Sequence, residues 1–308
     1  MNQPNPFLEV ARQGRNEWWR YLAGFFIIFA LLMMGQVVFA LPLLLIGADR
    51  AGNELLLLTV ILLSFVPGLV GVWIVVQFLH GRPFRTLITP YERIDWRRFA
   101  VGVGGWFVIA AASALIEALL YPGRYQPNPH PLSVLPFLLV AMLLIPIQAG
   151  TEELIYRGYL LQGMGLLFRQ PLLLAITNGA LFALPHAANP ETAASFAKIL
   201  LLYFLAGFFW TLITLRSGTL ELAIGAHTAN NLFTAIVANY QTTAIPSRSF
   251  FVIEVIDANY QLATIVVGMT LFYWLLAKRR QSAQSLTPSY SPEASSPGDG
   301  TSAEPSSP

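Results

Sequence analysis

Long runs of apolar residues, each close to the length needed to cross a lipid bilayer, dominate the chain. A spanning helix needs roughly 20 mainly apolar residues, and eight segments meet or approach that requirement. The predicted spans cover residues 21–47, 54–80, 99–121, 132–158, 171–189, 194–215, 219–240 and 258–277. The fifth and seventh are the weakest because they contain polar residues. The pattern predicts an all-α fold, a polytopic transmembrane bundle of about eight helices.

The two ends of the chain differ from the apolar region between them. Residues 1–20 are polar, and we expect a cytoplasmic segment there that precedes a retained first span. Residues 281–308 are rich in Ser and Pro and have no apolar period. Such a segment buries too little surface to offset its ordering entropy, so we expect a disordered cytoplasmic tail. The membrane domain is predicted to cover residues 21–280.

Lys and Arg are unevenly distributed among the loops. If the N-terminus is cytoplasmic, the segments on that side contain 14 of the 18 basic residues, and the opposite side contains 4. The loop at 81–99 contributes most, and we interpret it as a basic and aromatic anchor at the membrane interface. Because cytoplasmic loops carry an excess of Lys and Arg, we predict a multi-pass protein of the cell membrane with both termini in the cytoplasm.

The composition indicates that most of the chain is surrounded by lipid, and it excludes several kinds of partner and site. Charged residues make up 11% of the chain, whereas soluble domains contain about 25%, and the mean hydropathy is +0.59. The net charge of +2 gives no indication of a nucleic-acid partner. The absence of cysteine excludes disulfides, thiolate metal sites and thiol nucleophiles.

A few ionisable and amide side chains lie inside predicted spans, where an ionisable group costs on the order of 2.5–3.5 kcal/mol at a helix centre. Glu117 and Glu221 lie near span ends, and we interpret them as interfacial. The others fall in the fourth, fifth and seventh spans: Glu152, Glu153, Arg157, Asn178, His186, His227, Asn230 and Asn231. Such residues persist in lipid when they pair or function, so these three spans are candidates for one site.

The adjacent glutamates of the fourth span are expected to have different environments. Glu153 and Arg157 are four residues apart with the acid first, which favours an ion pair on one helix face. Glu152 is rotated by about 100° from Glu153 and has no cation within reach on its own helix. An unpaired carboxylate in a partly dry site is suited to act as a general base. The alternative is that both acids only bond to neighbouring helices.

Two further polar pairs have helical spacing. In "FALPH" (182–186), Phe182 and His186 are one turn apart, and Pro185 frees the carbonyl of Leu181 from the backbone ladder. In "HTANN" (227–231), His227 and Asn231 lie on one helix face, and both can donate hydrogen bonds. Either pair alone is compatible with a packing or interhelical contact. Together with the glutamates they look like parts of one site.

In this order, Glu152-Glu153-x-x-x-Arg157, Phe182-x-x-x-His186 and His227-x-x-x-Asn231 resemble the three signature motifs of the CPBP family. That family includes the type II CAAX prenyl endopeptidases and the Abi-type bacteriocin-processing proteins. The lead-in "RSGTLELAIGAHTANN" (216–231) is also similar to the family's approach to its third motif. The resemblance covers about residues 95–240.

The resemblance implies an intramembrane endopeptidase acting on a membrane-associated substrate, such as a prenylated CAAX protein. The implied catalytic residues are Glu152, which activates water, His186, which helps to hold it, and His227 and Asn231, which stabilise the oxyanion. The implied supporting residues are Glu153 and Arg157. A Glu and two His can also ligate zinc, whereas a metal-free glutamate mechanism uses the same residues. The expected partners are a hydrophobic or lipidated peptide and the lipid bilayer.

Other protease mechanisms and other classes of membrane protein have less support in the sequence. None of the four histidines begins an H-E-x-x-H motif, there is no G-x-S-x-G, and the only Gly-Asp pair lies in the polar tail. Transporters also place Glu, His and Asn at mid-bundle, but the first half of the chain has no matching set. A proton-coupled transporter and a non-enzymatic immunity or scaffold protein are the alternatives that stay open.

Residue counts along the helices give conflicting depths for the motifs. His186 lies roughly 22 Å along its span from Pro171, whereas His227 lies roughly 12 Å from Thr219. The motifs can therefore meet only if the fifth helix begins outside the bilayer, beyond the other spans.

Overall fold

The computed structural model describes residues 5–45 and 53–278, so the predicted tail at 281–308 lies outside the described residues. Most of the described chain is helical, which confirms the predicted all-α membrane bundle. Among the described residues, five helices are long and apolar enough to cross a membrane: Trp18–Phe39, Glu54–Leu79, Trp96–Leu120, Pro131–Leu167 and Phe196–Ser217. The three further predicted spans also form helices, but they fall outside that group, and the count of eight spans stays a prediction.

The elements follow one another in a simple order. The α-helices and strands are α1 (Pro6–Glu9), α2 (Trp18–Gly35), α3 (Leu41–Leu45), α4 (Glu54–Leu63), α5 (Val66–Ile74), α6 (Trp96–Leu120), β1 (Tyr125–Pro127), α7 (Leu135–Glu153), α8 (Leu161–Leu167), α9 (Pro171–His186), α10 (Phe196–Ser217), α11 (Glu221–Leu232), β2 (Ala238–Tyr240), β3 (Phe251–Ile253) and α12 (Ala258–Leu275). Stretches of π-helix are Gln36–Ala40, Val75–Leu79, Leu154–Leu160 and Phe233–Val237. Short 3-10 helices are Val10–Gln13, Phe84–Leu87, Pro131–Val134 and Pro190–Ala193.

The helices run alternately between two ends of the bundle. What we call the terminal end comprises residues 5–17, 80–95, 168–170, 218–220 and 276–278. It is joined by hydrogen bonds such as that from Arg98 Nη2 to the carbonyl oxygen of Lys278, at 3.1 Å. What we call the sheet end comprises residues 121–131, 187–195 and 238–257. There Arg124 Nη1 lies 3.2 Å from Asp257 Oδ2.

A small sheet, absent from the predicted all-α fold, joins the loops of the sheet end. The strand order is β1-β3-β2, with β1 antiparallel and β2 parallel to β3. Each strand has three residues. The sheet therefore ties the α6–α7 connection to the long connection between α11 and α12.

The fourth predicted span is longer than its apolar run. The helix Pro131–Leu167 has 37 residues, about 55 Å at 1.5 Å per residue, which exceeds a hydrocarbon core of about 30 Å. The predicted end at 158 is wrong, because the helix continues through the π-helical stretch into α8. Arg157 lies inside this helix, as predicted, and is fully buried.

This extension removes the conflict in depth. Glu152 lies 15 residues before Leu167, and His186 lies 15 residues after Pro171. Helix α9 turns back and packs along α8 and the π-helical stretch. The two helical segments are antiparallel, and Glu152 and His186 are equally far from the turn that joins them. His186 therefore lies at the same depth in the bundle as Glu152.

Close backbone approaches fix the helices that carry the second and third motifs. A Cβ on Gly225 of α11 would collide with the carbonyl oxygen of Phe99 on α6. A Cβ on Gly207 of α10 would lie 2.8 Å from the Cα of Gly179 on α9. Larger residues would push α11 from α6 and α9 from α10, so glycine is required at these two crossings.

Two expectations about polar residues need correction. Glu117 and Glu221 lie near helix ends as expected, but both are buried inside the protein and bonded there. Glu117 accepts hydrogen bonds from Arg124 and the Tyr125 hydroxyl, at 2.7 and 2.8 Å. In the N-terminal segment, which was predicted to be polar, four apolar residues and Glu9 are buried in the bundle; the apolar ones are Phe7, Leu8, Val10 and Ala11.

Candidate active site

The three sequence motifs meet at one cavity of about 990 Å³ within the bundle. Glu152 from α7, His186 from α9, and His227 and Asn231 from α11 all line it. Glu153 and Arg157 do not line the cavity and are fully buried behind its wall. The structure thus brings the predicted catalytic residues to one place and puts the predicted supporting pair behind them.

A chain of four ionisable side chains crosses this wall. Arg157 Nη1 lies 3.1 Å from Glu153 Oε1, an ion pair that lacks the alignment of a hydrogen bond. His227 Nδ1 is 2.8 Å from the same Glu153 oxygen, and His227 Nε2 is 3.6 Å from Glu152 Oε2. The imidazole therefore lies between the two adjacent carboxylates, so the expectation that each glutamate has separate partners is only partly correct.

Glu153 determines how the His227 ring is presented to the cavity. An ionised carboxylate can only accept, so Nδ1 carries the proton and Nε2 faces Glu152. Arg157 balances the charge of Glu153, and the Arg157 guanidinium also lies 4.3 Å from the centre of the Phe182 ring. The first motif thereby fixes the histidine of the third and contacts the aromatic residue of the second.

His186 is held by its own helix and by two aromatic rings. Its Nδ1 lies 2.6 Å from the carbonyl oxygen of Phe182, which can only accept. The ring is packed between Phe182 and Tyr203, with centroid distances of 4.4 and 4.3 Å. In a neutral imidazole this arrangement leaves Nε2 as a hydrogen-bond acceptor.

A chain of amide side chains orients Asn231. Trp106 Nε1 donates to Asn230 Oδ1 at 3.1 Å, and Asn230 Nδ2 donates to Asn231 Oδ1 at 3.2 Å. Asn231 Nδ2 then donates to Gln148 Oε1 at 2.9 Å. Because an amide nitrogen has two hydrogens, one N–H of Asn231 is left for a ligand in the cavity.

Comparison with known proteins shows the family of the chain. The model of the family described as type II CAAX prenyl endopeptidase Rce1-like matches residues 131–233, which contain all three motifs. The chain is also 33% identical over 300 residues to the uncharacterized protein YyaK of Bacillus subtilis (strain 168), covering 87% of this chain and 96% of that protein. The chain belongs to the Rce1-like family. This confirms the resemblance seen in the motifs, and no solved structure matches the chain.

Several residues around this Rce1-like site were not among the predicted site residues. Gln148 lies one helical turn before Glu152 in an otherwise apolar run, so its spacing could have identified it. Tyr203 and Trp106 lie on helices without a motif, and no sequence signal marks them. Asn178 is buried outside the cavity, where its Nδ2 donates to the carbonyl oxygen of Tyr156 at 2.7 Å.

The zinc site that the sequence left open stays a prediction. Across residues 5–45 and 53–278, no three or more His, Cys, Asp and Glu side chains form a group that could hold a metal ion.

Proposed function

We propose that this Rce1-like protein is an intramembrane endopeptidase that hydrolyses a peptide bond with water activated by Glu152. The observation that carries the proposal is the contrast between the two glutamates. Glu152 lines the cavity, whereas Glu153 is fully buried against His227 and Arg157. Only Glu152 can reach a water molecule beside a bound peptide, and membership of an endopeptidase family supports this reaction class.

The acceptors on the cavity wall suit a nucleophilic water. A water molecule that donates one hydrogen to Glu152 and the other to Nε2 of His186 directs its lone pairs away from both. A peptide carbonyl carbon in the cavity then faces those lone pairs. Glu152 removes one proton as the oxygen attacks, which is the role of a positioned general base.

Two donors are available for the oxyanion that this attack creates. One is the free N–H of Asn231, which the amide chain from Trp106 to Gln148 orients. The other is Nε2 of His227, which faces Glu152 and donates when both ring nitrogens carry a proton. Donors aimed at developing charge lower the barrier because they act mainly on the transition state.

The second half of the reaction uses the same proton. As the tetrahedral intermediate collapses, the carbon–nitrogen bond breaks, and Glu152 returns the proton to the leaving amine. The products are a carboxylic acid and an amine, and no group besides water is consumed. Glu153 acts through His227, so we assign it as a positioning residue.

The cavity suits a substrate with an apolar segment. One side of the cavity is formed by apolar residues of α2 and α4 and the turn after α4, including Leu32, Leu57, Ile61 and Phe65. A hydrophobic peptide or a lipid chain can pack there while its peptide bond lies beside Glu152. We therefore propose a membrane-associated peptide or protein, with or without a prenyl group, as the substrate.

The test is a cleavage assay with one peptide in prenylated and unprenylated form, with and without a chelator. We expect cleavage that a chelator does not inhibit. A matched preparation of Glu152→Gln controls for contaminating proteases, and equal cleavage by that variant would refute the assignment. No cleavage of either peptide, together with solute uptake that depends on Glu152, would identify a transporter instead.

A further inference from the structure

Helix α10 carries none of the three motifs, yet it contributes a tyrosine to the cavity. Tyr203 lines the cavity, and its ring packs on the imidazole of His186 with the two centroids 4.3 Å apart and the two planes tilted by 31°. This contact uses the face of the tyrosine ring. The hydroxyl group lies at the edge of that ring, so it can form a hydrogen bond independently of the stacking.

The hydroxyl group of Tyr203 is oriented by Asn189, which also lines the cavity. Asn189 Nδ2 donates to the Tyr203 hydroxyl oxygen at 2.9 Å. Asn189 is itself held by a turn, because its backbone N–H donates to the carbonyl oxygen of His186 at 3.1 Å and its carbonyl oxygen accepts from the Thr192 hydroxyl at 2.7 Å. The turn that places the hydroxyl therefore begins at His186.

The direction of this hydrogen bond leaves a donor on the tyrosine. An amide nitrogen can only donate, so the phenol oxygen accepts and keeps its own hydrogen. Among the described residues, no acceptor is bonded to that hydrogen. A polar hydrogen that is removed from water is stabilised by an acceptor. A ligand in the cavity that presents a carbonyl oxygen supplies one.

A peptide substrate presents carbonyl oxygens at a regular spacing. An extended chain advances about 3.4 Å per residue, and the Tyr203 ring lies directly against the histidine that we propose to hold the water. With the nucleophilic water beside His186, the scissile carbonyl lies next to it. The carbonyl that reaches the Tyr203 hydroxyl then belongs to a residue within about two positions of the scissile bond.

We propose that the hydroxyl group of Tyr203 binds the main chain of the substrate by donating a hydrogen bond to a peptide carbonyl within about two residues of the scissile bond. Asn189 is the positioning residue for this donor. The proposal rests on the endopeptidase function above and specifies how its peptide is held. Because the acceptor belongs to the backbone, this contact is independent of the side chains of the substrate and of any attached lipid.

The bond is expected to affect binding rather than the chemical step. The carbonyl that it contacts is not the one that is attacked, so the hydrogen bond is equally strong in the bound substrate and in the transition state. An interaction of this kind lowers KM and leaves kcat unchanged. This separates Tyr203 from Asn231, which we expect to act on kcat.

Tyr203→Phe tests the proposal, because it removes the hydroxyl and keeps the ring that packs on His186. We expect KM for a cleaved peptide to rise about 3–10-fold, with kcat within about twofold of wild type. Tyr260→Phe is the matched control. Tyr260 does not line the cavity, and its hydroxyl donates to the carbonyl oxygen of Ser113 at 2.6 Å, so its loss should leave KM unchanged. Equal KM values for Tyr203→Phe and wild type would overturn the assignment.

A second measurement changes the peptide instead of the protein. Each carbonyl within two residues of the scissile bond is replaced in turn by a thiocarbonyl, whose sulfur is a weaker acceptor than oxygen. We expect one position at which this replacement raises KM about 3–10-fold with wild type but not with Tyr203→Phe. No sensitive position with wild type, or equal sensitivity in both proteins, would overturn the assignment. Absence of cleavage of the parent peptide by wild type would instead refute the endopeptidase function on which it rests.

Discussion

Among the described residues, two arginines are fully buried, and their surroundings differ. Arg157 faces Glu153 at 3.1 Å and lies behind the wall of the cavity. Arg82 belongs to a cluster near the terminal end, where its Nη1 donates to Gln162 Oε1 at 2.7 Å. Two other Arg82 nitrogens have no hydrogen-bond partner in the described structure.

The second cluster is a closed set of structural contacts. Gln162 Nε2 donates to the carbonyl oxygens of Phe7 and Thr86, at 3.0 and 2.8 Å. His80 bonds through Nδ1 to the carbonyl oxygen of Arg15 and through Nε2 to the Tyr159 hydroxyl. These contacts attach the N-terminal segment and the 81–99 loop to α8.

The kind of buried polar residue does not distinguish the candidate catalytic cluster from the structural one. Contact with the cavity does. Both clusters contain a buried arginine and a histidine. Only the cluster around Arg157 ends in a carboxylate and an imidazole that face open space. The 81–99 loop was interpreted as an interfacial anchor, but Arg82 is buried, so part of that loop joins the protein interior.

The largest effect is expected at Glu152. Glu152→Gln should lower kcat by about 10²–10⁴, because it removes the general base. The midpoint of thermal unfolding in detergent should stay close to wild type, since the nearest basic atom to Glu152, His227 Nε2, lies 3.6 Å away, beyond hydrogen-bond distance. Retention of kcat would show that another group activates the water.

Glu153→Gln should affect stability as well as rate. It leaves Arg157 buried without a counter-charge, and breaking a buried pair costs about 3–5 kcal/mol in the free energy of unfolding. Glu153→Gln also removes the charged acceptor that orients the His227 ring. Thermal unfolding and kcat measured on the same preparations separate the two effects. A stable, inactive Glu153→Gln beside an active Glu152→Gln would show that the two roles are reversed.

Asn231→Ala tests the oxyanion role. Loss of one such donor typically costs about 10²–10³ in kcat, and KM should change little because the donor acts on the transition state. Asn178→Ala is the matched control, since it removes a buried Asn outside the cavity and should spare kcat. A raised KM with unchanged kcat for Asn231→Ala would indicate ground-state binding instead.

The smallest effect is expected in the closed cluster. Gln162→Leu removes the acceptor from Arg82 and the donor to the carbonyl oxygens of Phe7 and Thr86. The bond to the charged group alone contributes about 1.5–3 kcal/mol. The free energy of unfolding should fall by at least that amount, while kcat and KM of the folded protein stay unchanged. A kcat loss as large as that of Asn231→Ala would contradict the separation of the two clusters.

Much of the site could be predicted because its residues are spaced along the sequence at the period of an α-helix. The pair Glu153 and Arg157 and the pair His227 and Asn231 are each one turn apart, and residues so spaced share a helix face in any fold. The contact between His227 and Glu153 could not be predicted, because the two residues are 74 positions apart and meet only where α11 packs on α7.

The sequence by itself determined the membrane bundle, the family and the residues that we propose for the chemistry, because apolar length and helical spacing are local properties. Only the tertiary structure decided that one imidazole lies between both glutamates, that α8 extends the fourth helix, and that Arg82 is buried. Each of these depends on which helices pack together and on where a cavity is left between them. Those properties arise from contacts between distant segments, which no local pattern specifies.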